Sequence, residues 1–323
     1  MKEKKRKLNP YILSILIGLA SFLFILLLIF LLPYLLPGDP VTILSGVEEN
    51  DVSAEYYERY RNLLGLDQSI FVQFGRFLKE MFSFSFGYSY RYESEVGSLL
   101  LPRILVTLQY NVPAALIASA LGIAIGLLMG VKNHSPISEF GRGITLFLNA
   151  FPSFLIALIL LVLFAFLAPV FPSGGLSSPG EDGFFDRLYH LFLPILSLVL
   201  ALTPAKIMQV YGLAAKQSHE KYVILARANG FSTPRIAFGE VMPNLIGPLL
   251  LLVAITLGSS FAGSVVIERI FSLRGVGDYL LSSIKDLDYP SIRGTLFITS
   301  LFLLVCLTLA DLGALLIQRK KGE

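Results

Sequence analysis

Long apolar segments constrain this chain more than any other feature of its sequence. Hydrophobic residues make up 54% of the 323 residues and charged residues only 15%, against about 25% charge in a typical soluble domain. A helix that crosses a bilayer needs about 20 predominantly apolar residues. The sequence therefore predicts an all-α polytopic membrane protein with six transmembrane helices, at 11–33, 104–131, 143–168, 190–211, 244–267 and 294–317.

The first apolar segment is predicted to be a membrane anchor rather than a cleaved signal peptide. Basic residues from Lys2 to Lys7 precede it, but the uncharged run from Leu8 to Gly38 is far longer than the roughly 7–15 residues of a signal-peptide core. No small-x-small cleavage site closes the run. We therefore divide the chain into an anchor with an extracytoplasmic segment (1–102) and a five-span core (103–323).

The positions of Lys and Arg predict the orientation. Basic residues cluster before the first span, after the second, between the fourth and fifth, and after the sixth. With six spans these four segments share one face, which the positive-inside rule assigns to the cytoplasm, so both termini are expected there. The acid-rich segment 34–102 is then outside, where its helical spacing predicts one or two short helices. The net charge of +3 reflects this topology and not a nucleic-acid partner.

The segment between the fourth and fifth spans, 212–243, is predicted to form two short helices around a glycine. Residues 219–228 have a helical pattern, and Gly230 offers the left-handed conformation that ends such a helix. Thr233 can cap a second helix, 234–241, with Pro234 at its first position. This pair could fit into a groove on a partner and pass motion to both spans, although the spacing alone also allows an ordinary helical loop.

Two of the spans carry small residues at every fourth position. On the second span the residues from Ala114 to Gly130 favour close helix packing, because small residues let backbones approach each other in lipid. On the fifth span packing and pore lining stay open, since hydroxyl groups accompany the small residues there. The possible pore-lining residues are Thr256, Ser259, Ser260 and Ser264.

Two ionisable residues lie inside the predicted spans. A charged residue at a helix centre costs about 2.5–3.5 kcal/mol on insertion scales, so Lys206 and Asp311 are candidates for function. Both are close to the cytoplasmic end of a span; Asp311 is about 9 Å from the end of its span at about 1.5 Å per residue. We favour structural ion pairing at the inner face over a substrate or proton site.

The segment 212–243 resembles a known family of bacterial and archaeal membrane proteins. Ala226, Gly230 and Pro243 have the Ala-x3-Gly-x12-Pro spacing of the "EAA" coupling loop of ATP-binding-cassette (ABC) importer permeases. The string from Tyr222 to Gly230, with Arg227 inside it, is similar to that of the dipeptide/oligopeptide subgroup. Ile224 and Leu225 replace the Glu and the first Ala of the generic loop, and Asn229 stands where the subgroup commonly has lysine.

Further motifs of the subgroup occur in the expected order along nearly the whole chain. They are Pro37-Gly38-Asp39-Pro40, Leu64-Gly65-Leu66-Asp67, Phe86-Gly87-Tyr88-Ser89, the segment 102–108, Phe151-Pro152-Ser153-Phe154, Glu268-Arg269-Ile270-Phe271 with Gly275 and Gly277, and Asp288-Tyr289-Pro290.

The resemblance implies a permease subunit that forms half of a peptide pathway in the cytoplasmic membrane. It implies a second permease subunit, two ATPase subunits, an extracytoplasmic binding protein and the lipid bilayer as partners. ATP and Mg would be bound by the ATPases, so this chain is expected to bind no cofactor or metal and to be no enzyme. The coupling residues would be Tyr222, Ala226, Arg227, Gly230, Pro234 and Pro243. The outer region 50–90 and the loop after Glu268 would be docking surfaces for the binding protein.

The residues themselves point away from catalysis. No Gly-x4-Gly-Lys-Ser/Thr phosphate loop and no nucleophile elbow occur in the sequence, and the single cysteine, Cys306, excludes an internal disulfide. Oligosaccharides or a metal chelate remain alternative substrates for the same architecture. A membrane scaffold or receptor and a proton-driven secondary transporter remain alternatives of other classes.

Overall fold

The computed structural model describes residues 10–35, 41, 54–181, 183–263 and 265–322, most of which are helical. The helices are α1 (Pro10–Leu35), α2 (Ala54–Leu64), α3 (Ile70–Phe82), α4 (Val96–Val131), α5 (Pro136–Asn149), α6 (Ser153–Leu161), α7 (Phe184–Gln217), α8 (Lys221–Ala228), α9 (Thr233–Arg235), α10 (Met242–Gly263), α11 (Val265–Ile270), α12 (Val276–Lys285) and α13 (Tyr289–Gly322). Wider π-helical turns occupy Val162–Leu167 and Ile236–Val241. Two short antiparallel strands, β1 (Tyr88–Ser89) and β2 (Ser94–Glu95), pair Tyr88 with Glu95.

Five helical stretches in the described residues are long and apolar enough to cross a membrane, and a bent pair makes a sixth candidate. The five are Tyr11–Leu35, Val96–Val131, Phe184–Gln217, Thr233–Ser259 and Tyr289–Ile317; the bent pair is Pro136–Asn149 with Ser153–Leu167. The predicted all-α polytopic fold is confirmed. The two short helices predicted between the first and second spans are also present, as α2 and α3. The motif 37–40 lies outside the described residues.

The third span, predicted at 143–168, coincides with two helices that meet at a sharp bend. α5 ends at Asn149, and the chain bends by 85° before it continues as Ser153–Leu167. Pro152 stands at the bend with an extended backbone, ψ 141°. Proline has no amide hydrogen to donate, and it disfavours helical backbone in the residue before it. The apolar pattern continues through the bend, so hydrophobicity alone predicts a single span.

α4 and α7 pack closely because glycines on α4 leave no side chain between the two helices. A Cβ atom on Gly122 would lie 2.4 Å from the Cβ of Lys206, and one on Gly126 would lie 2.7 Å from the Cβ of Val210. Gly130 is equally confined, with the nearest α7 atom at 2.5 Å. Real Cβ atoms do not approach so closely, so these positions must lack a side chain. The packing role predicted for the small residues of the second span is confirmed.

A buried aspartate just before α13 attaches the segment between α1 and α4 to the core. Asp288 is fully buried, and its carboxylate accepts hydrogen bonds from Ser89 Oγ at 2.5 Å and Ser291 Oγ at 2.7 Å. The backbone amide of Tyr90 donates to the same carboxylate at 3.3 Å. These contacts hold β1 against the start of α13. The division at residue 102 stays a prediction; α4 begins at Val96 and passes through that position.

Replacing the buried Asp288 by alanine should have a larger effect on stability than replacing the partly exposed Asp286. Asp288→Ala should destabilise the fold by about 2–4 kcal/mol, because buried donors left without an acceptor cost about 1–3 kcal/mol each. Asp286 forms an ion pair with Arg91 in which both side chains are partly exposed, so Asp286→Ala should cost no more than about 1 kcal/mol. Thermal unfolding in detergent compares the two variants. Equal shifts of the midpoint would contradict the role assigned to Asp288.

Candidate coupling site

The coupling segment (residues 212–243) buries one face of α8 against the neighbouring long helices. Val223 is fully buried and Ala226 is 5% exposed. Both belong to one hydrophobic cluster with Val131 of α4, Val210 of α7 and Val241 of the π-helical turn before α10. Since α8 has only eight residues and would be marginal alone, this packing holds it in place against three elements of the core.

The opposite face of α8 presents two large apolar side chains to the outside. Ile224 is 55% exposed and Leu225 is 62% exposed. These are the two positions at which the sequence departs from the generic coupling loop. Because α8 lies outside the long apolar helices, these two neighbouring side chains leave an apolar surface that a protein partner could cover.

Gly230 ends α8 in the left-handed conformation that the sequence predicts. Its φ is +76°, its amide donates to the carbonyl of Arg227 at 2.9 Å, and the amide of Phe231 donates to the carbonyl of Ala226 at 3.1 Å. This pair of bonds is the Schellman arrangement, in which a glycine follows the helix and two late carbonyls gain donors. Phe231 packs on the cluster that contains Ala226. No atom outside the turn would contact a Cβ at Gly230, so its conformation and not lack of space requires glycine.

The second arm of the coupling segment differs from the prediction. Ser232 is the residue before the helix, Thr233 is its first residue and Pro234 its second, so Thr233 is not the cap. The helix predicted at 234–241 is also not separate, because it continues without a break into the candidate span Thr233–Ser259. The second arm is therefore the first part of the helix Thr233–Ser259, which is the candidate fifth span.

A wide turn explains how the helix continues through Pro243. Proline inside a helix lacks a donor and its ring crowds the carbonyl four residues earlier. The π-helical turn Ile236–Val241 lies just before Pro243 and contains that carbonyl. A wider turn changes the position of the carbonyl, and such π-turns commonly occur at functional sites. Pro243 thus marks the junction between the coupling segment and α10, and does not end the helix.

Two polar side chains connect α8 to its neighbours. The guanidinium of Arg227 donates to the carbonyl of Val131, the last residue of α4, where helix carbonyls lack partners and a cation is favourable. The hydroxyl of Tyr222 donates to Gln217 Oε1 at the end of α7, at 2.6 Å. Burial raises the pKa of the Tyr222 phenol. α8 is thereby bonded to both α4 and α7.

The four residues predicted to line a pore lie in different surroundings. Thr256 is 1% exposed and its hydroxyl donates to the carbonyl of Leu252 in the same helix, at 2.7 Å. Ser259 is exposed on α10. The side chain of Ser260, and Ser264 altogether, lie outside the described residues. Their pore-lining role stays a prediction.

Lys206 and Asp311 are held by different helices. Lys206 is 8% exposed and packs against Gly122 in the α4–α7 interface. Asp311 accepts a hydrogen bond from Ser14 Oγ at 3.0 Å and lines a groove between α1 and α13. In the part of the chain that the structure describes, no ion pair joins the two. Their pairing with each other is therefore not observed, and each residue has its own packing environment.

Two contacts had no counterpart in the sequence analysis. The bond from Arg227 to the end of α4 joins residues 96 positions apart, and no local pattern indicates it. Glu268 was identified only as part of a family motif, yet its carboxylate is fully buried among donors from distant segments. The signal that could have found it is the glutamate itself, since a charged residue between an apolar span and a glycine pair is unusual.

The fold and the coupling segment together define a multi-pass membrane protein of the permease class. The family described as "Binding-protein-dependent transport system inner membrane component" matches residues 122–323, and the amino-terminal unit described for the same transport systems matches residues 9–111. The chain belongs to this family. It is a transport subunit of the inner membrane, and the resemblance stated from the sequence is confirmed.

Several relatives match nearly the whole chain. The dipeptide transport system permease protein DppB of Escherichia coli K12 is 27% identical, with 91% of this chain and 93% of the relative covered. The glutathione transport system permease protein GsiC of Salmonella paratyphi A is 29% identical, covering 94% and 96%. The oligopeptide transport system permease protein AppB of Bacillus subtilis is 29% identical, covering 92% and 94%.

Proposed function

We propose that this chain is one of two permease subunits of an ATP-driven importer of di- or oligopeptides. The observation that carries the proposal is the Gly230 turn, which joins α8, with its exposed Ile224 and Leu225, to a second arm that is continuous with the fifth span. An ATPase subunit would cover Ile224 and Leu225, and a second permease subunit would engage a second ATPase. ATP and Mg would be bound by those ATPases.

In this proposal the coupling segment transmits motion along two routes. When the ATPases close around ATP, α8 is displaced with them. One route runs through Gly230 into α10, because no break separates the second arm from the span. The other runs through Arg227 to the end of α4 and through Tyr222 to the end of α7. The glycine contacts between α4 and α7 then move these two helices together.

Peptides are the proposed substrates because the relatives named above are permeases for a dipeptide, glutathione and oligopeptides. Oligosaccharides and a metal chelate remain alternatives for the same architecture. Uptake of a labelled peptide into cells or proteoliposomes, with unlabelled peptides and oligosaccharides as competitors, decides among them. Competition by an oligosaccharide alone would replace the peptide assignment while leaving the permease assignment intact.

The proposed topology places the coupling segment and both termini in the cytoplasm. The distribution of Lys and Arg supports it. An extracytoplasmic binding protein would then dock on the face that carries α2, α3 and α12. Cysteine-accessibility labelling from each side of the membrane, in a Cys306→Ser background, tests the orientation.

A matched pair of charge substitutions tests the ATPase interface. Leu225→Asp places a carboxylate on the exposed face of α8 and should abolish co-purification of the ATPases in mild detergent. Phe71→Asp makes the same kind of change at a side chain that is 84% exposed on α3, and should leave the ATPases bound. Mass spectrometry of the purified complexes identifies the partners. Retention with Leu225→Asp, or loss with Phe71→Asp alone, would refute the assigned interface.

The rival classes predict other outcomes of the same purification. A scaffold or receptor, or a proton-driven transporter, would purify reproducibly without an ATPase. A proton-driven transporter would also lose uptake when an uncoupler is added at constant ATP. Uptake that needs ATP and ignores the uncoupler supports the importer.

A further inference from the structure

Glu268 is a fully buried carboxylate at the corner between α11 and α12. Its Oε1 accepts hydrogen bonds from Thr107 Oγ1 at 2.7 Å and from the hydroxyl of Tyr110 at 2.6 Å. Its Oε2 accepts from the backbone amide of Asp278 at 2.7 Å. Three donors on the two oxygens suit an ionised carboxylate, which accepts hydrogen bonds and donates none.

The loop before α12 is shaped to fit this carboxylate. A Cβ atom on Gly275 would lie 2.2 Å from Glu268 Oε1 and 2.5 Å from Thr107 Oγ1. Gly277 is equally confined, since its Cβ would lie 2.8 Å from the Cα of Val265. The two glycines therefore allow the loop to approach α4 and α11 closely enough for hydrogen bonds to its backbone.

Residues from other helices satisfy the amino terminus of α12. The residue before this helix is Gly275, which has no side chain to accept from the free amides. Thr107 Oγ1 accepts from the amide of Val276 at 2.9 Å, and Glu268 accepts from that of Asp278. A negative charge at this end also matches the helix dipole. α4 and α11 thus supply the cap that α12 lacks.

The Glu268 contacts lie far along α4 from the contact of Arg227. Arg227 bonds Val131 at one end of α4, and Glu268 bonds Thr107 and Tyr110, which lie 24 and 21 residues earlier. At about 1.5 Å per residue these two points are about 30–36 Å apart along the helix. α4 is therefore bonded to the coupling helix at one end and to the α11–α12 corner near the other.

We infer that Glu268 is a positioning residue of the transport cycle, which makes α4, α11 and α12 move as one body on the outer side. The inference rests on the proposed function, because it gives Arg227 and Glu268 complementary places on the route from the ATPase to the outer loops. Displacement of α8 passes along α4 to α12 through the Glu268 contacts, and the stacking of Arg103 of α4 over the Tyr279 ring of α12 adds a second attachment. Without the Glu268 contacts the position of α12 on α4 is less fixed, and less of the motion driven by ATP hydrolysis reaches the outer face.

Distance measurements between spin labels test this inference directly. Cys306→Ser removes the single cysteine, and cysteines at the exposed positions Ser98 of α4 and Lys285 of α12 carry the labels. In the reconstituted complex we expect one narrow distance distribution that is the same without nucleotide and after trapping with ATP and vanadate. Glu268→Ala should broaden the distribution and lower uptake per ATP hydrolysed by about tenfold, within the usual range of coupling between sites.

Matched variants separate the role in positioning from loss of the fold. Glu95→Ala removes an exposed carboxylate that makes no capping bond and should change neither readout. Glu268→Gln should largely keep the narrow distribution. The side-chain amide of the glutamine can donate to the hydroxyls of Thr107 and Tyr110, while its oxygen still accepts from the backbone amide of Asp278. Thr107→Val removes one donor and one acceptor and should also broaden the distribution. It provides the test if Glu268→Ala does not fold.

The outcomes distinguish this inference from the proposed function. A distance that changes between nucleotide states in the unsubstituted chain would overturn the inference, as would a narrow distribution in both Glu268→Ala and Thr107→Val. Failure of the importer proposal would instead appear as absence of ATP-driven uptake in the unsubstituted complex. Even then, the distance distributions of the variants without nucleotide would show whether Glu268 holds α12 against α4.

Discussion

Gly230→Val is expected to abolish most ATP-driven uptake while the chain still inserts into the membrane. Gly230 has φ +76°, a left-handed conformation that costs an L-residue about 1–2 kcal/mol and a β-branched residue more. Since about 1.4 kcal/mol corresponds to a factor of ten, the substitution would lower the ratio of closed to open Schellman turn by about tenfold or more. α8 would then lose its fixed direction relative to α10. Transport assays in cells, corrected for the amount of chain in the membrane, give the result.

Two controls isolate the backbone conformation as the cause. Asparagine tolerates the left-handed region better than other non-glycine residues, so Gly230→Asn should retain most of the uptake. Gly239 lies in the π-helical turn with open space around it and no positive φ, so Gly239→Val should have a much smaller effect than Gly230→Val. Normal uptake by Gly230→Val would refute the role of this turn.

Gly126→Leu is expected to push α4 and α7 apart and to lower the stability of the folded protein by about 3 kcal/mol or more. A Cβ at this position would lie 2.7 Å from the Cβ of Val210 and 2.8 Å from the carbonyl oxygen of Ile207. The second contact is with backbone, so no change of rotamer relieves it. Overpacking of a well-packed interior usually costs about 1–3 kcal/mol, and a leucine between two backbones should reach the upper part of that range or exceed it.

The control for Gly126→Leu lies on the partner helix. Gly212 belongs to α7, and a Cβ there would have no neighbour within 4 Å. Gly212→Leu therefore adds the same side chain to the same helix pair without forcing the backbones apart. Size-exclusion profiles in detergent and the midpoint of thermal unfolding compare the two variants. If they behaved alike, the close contact between α4 and α7 would not be what stabilises this pair.

Local features explain why the sequence predicts the coupling segment well. A helix end with a glycine at the following position is specified by a few neighbouring residues, and Gly230 has the expected conformation. The second arm was less predictable. Proline usually ends helices, but the π-helical turn before Pro243 lets the helix continue, and such a turn has no clear sequence signal. The bend at Pro152 is not predicted by hydrophobicity, because the apolar composition continues from the end of one helix to the start of the next.

The sequence by itself determined the membrane class, the approximate spans, the small-residue face of the second span and the Gly230 turn. Each depends on composition or on residues within one or two helical turns, where local chemistry decides the conformation. Only the tertiary structure decided which polar groups meet: Glu268 with Thr107, 161 residues apart, Arg227 with the end of α4, and Lys206 away from Asp311. Such contacts depend on how whole helices pack and on which faces they turn toward each other. That arrangement results from many small packing contacts and leaves no pattern in any single stretch of sequence.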